Sequence, residues 1–569
     1  MGVASAFRRN RVASTRTCLW LLLALGVAVY FVSLGNAAIW DANEAYYVET
    51  PREMLEAHDL VNPAFNYEPR FNKPVLSYWI VAGLYKLFGV SVATQRFGIA
   101  IGAMLIVLSA FLLAGRAARD AGREGRGTGR EAWGAGSTTD AGLWAVVGLL
   151  AAPRLMMFSR RIFIDIWLTA FMALTLACFA LSEAYPEKRR RYLLLMYAAV
   201  GFGALTKGPM AIALPGLAFA VYLTIRRELG RVREMMIPAG IVIVAAIVVP
   251  WYAALYQQHG WTYITSFLVT ENFERYSEGV GVQLRRGWSF YLPVLFSDSF
   301  PWSMLLPMAA VGAWRAPSRL QTLLWCWISA FVGVFSYSAG KQDLYIFPIV
   351  AAVAALGGLA IARGLTDDRW RGWLSATCGL TGALLAIAGG GVLYLFAGAG
   401  RVYALEAATA VGVIALVGGL AVFALALVRR PSGAALTLLA TMIAVNWIFV
   451  VRALPEFERY KPVPGFSQVL ASRLQPGDVI VHYQASLPSM TYYLRRHVDT
   501  TFDPESFVRA VLVPNRVYAI LSDDDYAALK SRLGETCIVD RRPTFDVKLN
   551  TVLERKPLPE LLLITNRCR

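Results

Sequence analysis

Two carboxylates three residues apart are the first side chains in this chain able to do chemistry. They are Asp41 and Glu44, within Trp40-Asp41-Ala42-Asn43-Glu44-Ala45-Tyr46-Tyr47. If a helix starts here, both sit on one face of its N-terminal end, placed for general acid or base work at a membrane surface. The same spacing also describes a helix cap, with Asp41 on free backbone amides and Glu44 in the capping-box position. Further charges follow singly: Lys73 in Phe71-Asn72-Lys73-Pro74, Asp165 closing Arg160-Arg161-Ile162-Phe163-Ile164-Asp165, Lys207 in Lys207-Gly208-Pro209, then Glu271, Arg275 and Lys341. A lone lysine at such a turn is ordinarily an interfacial anchor. Several converging on one cavity would make an anion site. His259 and Glu68 are candidates to share a divalent ion, although two ligands so far apart make a weak metal signature, and an ordinary loop histidine is the competing reading.

The elements that must position these residues are membrane helices. The chain is 57% hydrophobic and only 16% charged over 569 residues, far from the roughly 25% charged of soluble globular domains. Its net charge of +17 does not point to nucleic acid, because the cations sit in short loops beside apolar segments, where they orient helices against the cytoplasmic leaflet.

Alternating those loops gives a count. Arg8, Arg9, Arg11 and Arg16 put the N-terminus inside and make residues 18–34 the first span; a cleaved signal peptide is the alternative, weakened by the acid-rich segment directly behind it. The Arg-rich loop 116–130 is inside, so one span, 97–115, precedes it and residues 36–96 form an outer loop. The apolar stretch 74–89 is short for a span and is expected to lie along the interface. Further spans are expected at 141–157, 165–182, 192–206, 209–225, 236–256, 301–314, 320–338, 343–362, 373–396, 404–428 and 433–452, with a second long outer loop at 257–300. Thirteen crossings place the tail outside.

That tail, 455–569, differs in composition and is expected to form a separate α/β domain, with strands near Asp478–His482, Arg516–Leu521 and Leu561–Thr565 and a helix from Ser522 to Leu533 capped by Ser522. It has no phosphate loop, dinucleotide fingerprint or metal-spaced Cys/His set, so a lid, docking or scaffolding role is expected. Cys18, Cys178, Cys326 and Cys378 fall in apolar spans as small hydrophobes, whereas Cys537 and Cys568 lie where an oxidising compartment would permit a disulfide; spacing leaves bonded and free forms open. None reads as catalytic.

These residues resemble the GT-C class of lipid-linked sugar transferases, in the branch shared by protein O-mannosyltransferases and bacterial aminoarabinose transferases. The resemblance runs in order through Trp40-Asp41-x-x-Glu44-Ala45, Arg52-Glu53-Met54, Lys73-Pro74-x-Leu76-x-Tyr78-Trp79, Phe88-Gly89-Val90, Arg96, Asp165, Lys207-Gly208-Pro209, Glu271-Asn272-Phe273-x-Arg275-Tyr276, Pro301-Trp302 and Lys341-x-x-x-Tyr345-x-x-Pro348. Val75 departs from it, standing where the family usually has a second proline. The resemblance implies a polytopic α-helical GT-C fold over 1–454 with the soluble α/β domain behind it. It also implies a polyprenyl-phosphate-linked sugar donor and a first-loop aspartate near the reacting carbon.

Length and tail look most like the transferases that move 4-amino-4-deoxy-L-arabinose from undecaprenyl phosphate to a lipid A phosphate. Those act at the periplasmic face of the bacterial inner membrane, lowering lipopolysaccharide negative charge and so raising polymyxin resistance. On that reading Lys73, Lys207, Arg275 and Lys341 hold the lipid phosphate, Tyr345 adds a hydroxyl donor, and Asp41, Glu44 and Asp165 are the catalytic carboxylates. A monomer is expected. A mannosyltransferase acting on protein is the first alternative. A lipid or sugar transporter is the second, opposed by the absence of an inverted repeat and by charges gathered at one surface instead of the midplane. A membrane-anchored binding module is the third.

Overall fold

The computed structural model describes residue 20, residues 23–41, 43–116, 138–161, 163–274, residue 276, and residues 286–397, 401–403, 405–545 and 549–568. Arg275, Cys18 and most of the Arg-rich loop 116–130 lie outside the described residues.

The protein is a bundle of long apolar helices with a strand-containing C-terminal domain. Eight helices are long and apolar enough to cross a membrane, or nine if the bent pair Trp288–Asp298 and Trp302–Arg315 is one span, among the described residues. Among the described residues each of the thirteen expected spans contains helix, but several differ in form. The span expected at 141–157 is broken: Thr138–Ala151 ends and Pro153–Phe158 starts anew, because proline at the first helical position cannot donate to the helix before it. The span expected at 301–314 is the second limb of a pair bent by 106°. The stretch expected at the interface is the thirteen-residue helix Leu76–Phe88, too short to span unaided.

Helices approach most closely where a side chain is absent. A Cβ on Gly148 would fall 1.4 Å from the Trp302 ring, and one on Gly389 would meet the Leu416 amide at 2.4 Å. Small residues of this kind let membrane helices pack by direct van der Waals contact, since lipid supplies no hydrophobic drive between them.

One helical hairpin matters most for the site. Phe163–Ala184 runs one way, a single turn at Pro186–Lys188 reverses the chain, and Arg189–Lys207 returns. The two limbs are of similar length, so Asp165 in the first turn of one and Lys207 in the last turn of the other arrive at the same level. Each also has the sign that its own helix dipole favours. Gly208, with φ +99°, ends the return limb where an L side chain would be strained.

The C-terminal domain is a mixed five-stranded sheet. Its strands are β3 (Val479–Tyr483), β4 (Asp499–Thr501), β5 (Val517–Ser522), β6 (Cys537–Pro543) and β7 (Glu560–Thr565), in spatial order β4-β3-β5-β7-β6; β1 (Ala64–Phe65) and β2 (Glu68–Pro69) form a separate small hairpin in the first outer loop. The three expected strands are there within a residue or two. Ser522 caps its helix by accepting from the Asp525 amide, but that helix is shorter than expected, Asp523–Leu529. Cys537 and Cys568 form a disulfide, while Cys178, Cys326 and Cys378 are free and buried.

Candidate functional site

A cavity of about 670 Å³ lies where the first outer loop meets the mouths of the helices. Three segments build its wall. The loop helix Asn43–Glu56 presents Asn43, Tyr46 and Tyr47, the following loop presents Arg70, Asn72 and Lys73, and the helix mouths add Arg161, Asp165, Lys207, Lys341 and Tyr345. Lys73 Nζ donates to Glu271 Oε2 at 2.8 Å, and Lys207 is ion-paired with Asp165. Lys207 also stands 5.7 Å from the centroid of the Tyr345 ring. Lys341 is buried and donates to the Ser338 carbonyl at 2.5 Å, which orients it within the turn between two helices.

Charge in this cavity is unbalanced. Arg70, Lys73, Arg161, Lys207, Arg286 and Lys341 are the described cations on its wall, against Asp165, Glu271 and Asp343. Asp343 is ion-paired with Arg154 behind it. Among the described residues, Arg70, Arg161, Arg286 and Lys341 have no carboxylate partner; aromatic rings support three of them instead. The Arg70 guanidinium lies 3.9 Å from the Tyr46 ring, Arg161 3.8 Å from Trp40 and Arg286 4.3 Å from Phe290. A ring face offers a cation partial neutralisation without supplying an anion, so the cavity keeps a positive field for a ligand of opposite sign.

Two of the expected carboxylates are elsewhere. Glu44 is fully buried and paired with Arg96 through a 2.7 Å contact to Nε, while its other oxygen accepts from the Trp40 amide at 2.9 Å. Asp41 does not line the cavity. Its two oxygens accept from the amide and hydroxyl of Ser489, at 2.6 and 2.7 Å, at the start of the C-terminal helix Ser489–Leu494. Burial pushes the Asp41 carboxyl up from 3.8 to about 6, with the Ser489 hydrogen bonds and Lys461 pulling the other way. Of the two sequence readings, the cap is half present: Glu44 serves its own helix, whereas Asp41 serves a helix 448 residues on.

The expected metal pair has other neighbours. His259 Nε2 contacts Asn62 Oδ1 at 2.7 Å and its ring packs near Phe71 and Tyr263. Glu68 lies exposed on the β1–β2 hairpin. No group of three or more His, Cys, Asp or Glu able to hold a metal occurs among the described residues.

Arg70, Arg161 and Arg286 are cavity cations to which sequence reasoning gave no role, Arg161 being noted only as a neighbour of Asp165. Arg70 had a signal, since it stands three residues before Lys73 with aromatic partners in Tyr46 and Tyr78, but only the fold brings those rings to it; its Nη1 donates to the Tyr78 hydroxyl at 3.0 Å. Arg286 lies beyond the motifs and carried no signal.

A bundle of this topology, with a charged cavity under a long first loop and a strand domain behind, is a multi-pass membrane protein of the GT-C fold. The solved structures of ArnT from Cupriavidus metallidurans, one bound to undecaprenyl phosphate and one in the apo state, match it with a TM-score of 0.75 over 97% of this chain and 98% of theirs, at 22% identity. Residues 136–253 match the family model described as dolichyl-phosphate-mannose-protein mannosyltransferase.

Among curated proteins, the undecaprenyl phosphate-alpha-4-amino-4-deoxy-L-arabinose arabinosyl transferase of Pseudomonas aeruginosa (strain LESB58) is 32% identical over 357 residues, covering 62% of this chain and 60% of that protein. The corresponding transferase 1 of Pseudomonas fluorescens (strain Pf0-1) is 27% identical over 386 residues, 66% of this chain and 63% of that one. The chain thus matches about three fifths of the length of these relatives. The resemblance read from the motifs is borne out by these matches.

Proposed function

We propose that this protein transfers 4-amino-4-deoxy-L-arabinose from undecaprenyl phosphate to a phosphate of lipid A, at the periplasmic face of an inner membrane. The observation that carries the reading is the cavity with four described cations that no carboxylate neutralises, lying beside two lysine–carboxylate pairs in a GT-C fold.

In the reaction an acceptor phosphate oxygen attacks C1 of the sugar, the bond from C1 to the polyprenyl phosphate breaks, and the electron pair leaves on the phosphate oxygen. Charge therefore grows on the leaving group, where fixed cations in a dehydrated site stabilise the transition state more than the ground state. Lys207, Lys73 and Lys341 serve this role, with the Tyr345 hydroxyl as a further donor. An acceptor phosphate is ionised at neutral pH and needs no base to remove a proton. The cavity carboxylates Asp165 and Glu271 are then available to orient the lysines and to receive the ammonium of the sugar. Asp41 and Glu44 act as positioning residues through the loop helix they anchor, which carries Asn43, Tyr46 and Tyr47 into the cavity.

The mannosyltransferase family match over 136–253 favours a second reading in which the donor is the same class of lipid phosphate and the acceptor a protein hydroxyl. Incubating purified protein with lipid-linked aminoarabinose and lipid A, then weighing the lipid A by mass spectrometry, separates the two. Addition of the aminosugar supports the first reading, and an unchanged lipid A mass overturns it.

A further inference from the structure

Sugar transfer between two phosphates, the reading on which this inference rests, requires two anionic groups in one cavity, one on each side of the sugar carbon. Shared cations would draw the two anions together at the cost of their mutual repulsion, so separate cationic contacts are expected for each. The cavity contains such a division by what the cations touch. Lys207, Lys341 and Tyr345 cluster near the Asp165 mouth, with Lys207 close to the Tyr345 ring. Arg161 faces the first loop instead.

Arg161 and Arg286 are the described cations of the cavity whose side chains make no ion pair or hydrogen bond among the described residues, but Arg286 is exposed to water whereas Arg161 is half-buried. The forked donors of Arg161 are therefore unspent, and its support is the Trp40 ring at 3.8 Å. Lys461 lies 4.6 Å from the same ring. Arg161 also lines a second, small cleft of about 20 Å³ shared with Trp40, Arg96, Arg160 and Lys461, so it stands at the boundary between the large cavity and a cationic flank. Burial lowers its pKa to about 9, with Glu44 and Glu458 opposing the shift and Arg96 adding to it, which leaves it charged at neutral pH and poorly solvated. Arg70, by contrast, is committed to the Tyr78 hydroxyl as well as the Tyr46 ring.

We infer that the Arg161 guanidinium, braced by Trp40, binds the acceptor phosphomonoester and so selects a phosphorylated acceptor, while the lysines near Asp165 hold the donor phosphate. A planar fork suits this task, because two parallel N–H donors match two phosphate oxygens where an ammonium offers only a point charge.

The test uses the full-length protein in detergent, with lipid A, lipid A stripped of its phosphates, and undecaprenyl phosphate as probes, and native mass spectrometry for affinity. Wild type is expected to prefer the phosphorylated over the stripped acceptor by about tenfold or more. Arg161→Gln should erase that preference while changing undecaprenyl phosphate affinity by less than about twofold, and Arg161→Lys should lose about threefold or more of acceptor affinity through loss of the fork. Should Arg161→Gln fail to fold, the lysine variant with retained charge carries the comparison. An unchanged preference in either variant, no preference in wild type, or an equal loss of undecaprenyl phosphate binding overturns the inference. These binding arms need no turnover, so absence of sugar transfer by the wild type would overturn the reaction reading separately.

Discussion

At the residue scale, the pairing of Lys207 with Asp165 poses the sharpest question, because a half-buried lysine at a cavity wall can serve either its carboxylate or a ligand. If Lys207 only neutralises Asp165, removing both charges together should restore function, since breaking a buried pair is costly mainly through the partner left behind. If it stabilises the leaving phosphate, the double variant stays slow. We expect Lys207→Met to lower kcat by about 10² to 10³, the loss typical of one oxyanion donor, and Lys207→Met with Asp165→Asn to recover little of it; single-turnover transfer assays read both.

Asp41 supplies a second prediction at this scale. Its folded-state pKa of about 6 lies above the unfolded 3.8, so folding favours the neutral carboxyl. That stabilisation is complete below about pH 3.8 and is lost as pH rises through about 6. Asp41→Asn keeps an oxygen to accept from the Ser489 amide and never ionises. Its Tm should therefore gain on wild type as the pH is raised from about 4.5 to about 7.5, and its kcat should stay within a few-fold of wild type. A loss of about 10² or more, as for a missing general base, would return Asp41 to the chemistry.

The contrast between Lys207 and Asp41 shows what sequence can and cannot carry. Lys207 was legible because a tight Lys-Gly-Pro turn between apolar runs fixes its depth. Asp41 was not, because its partner Ser489 is in another domain and no local pattern encodes that distance.

At the scale of elements, the first outer loop is held from outside by the C-terminal domain. Besides Asp41 and Ser489, the Ala38 amide donates to Glu458 and the Ile39 amide to the Tyr493 hydroxyl, while Asn66 exchanges hydrogen bonds with both backbone groups of Val498. Asn66 and Tyr67 turn the β1–β2 hairpin with φ of 61° and 63°, a conformation fixed from within by their amides donating to Glu53. The loop that carries Lys73 and Arg70 is thus clamped between its own helix and the tail.

Ser489→Ala removes one hydrogen bond to the half-buried Asp41 carboxylate and should cost about 1.5 to 3 kcal/mol, seen as a lower Tm. The disulfide ties the start of β6 to the chain just past β7, where Cys537 already pairs in register with Thr565. Replacing both cysteines by serine should cost the domain about 2 to 4 kcal/mol. Limited proteolysis of 455–569 should detect it as faster cleavage, and reductant should sensitise wild type alone. The strands themselves were legible from short apolar runs; the β5–β7 antiparallel pairing that joins chain positions far apart was not.

At the scale of the whole molecule, the alternation of basic loops with apolar runs located a helix at every expected crossing, because the bilayer forces apolar segments into helices and basic loops to one side. Length was read less well. Thr138–Ala151 and Met210–Ile225 are only 14 and 16 residues, and the span expected at 301–314 is only the second limb of the bent pair Trp288–Asp298 and Trp302–Arg315. The orientation is the claim on which the reaction geometry depends, since donor and acceptor must meet on the face that holds the cavity. Single cysteines at Glu68 and Arg473, both exposed and on the side of the first loop and tail, should react with a membrane-impermeant maleimide in intact spheroplasts. Cysteines at Arg190 and Arg227, in the basic loops, should react only after permeabilisation. Labelling of all four positions from one side would place the cavity and the basic loops on the same face, and the two-phosphate reaction would then lose the compartment in which its lipid acceptor is presented.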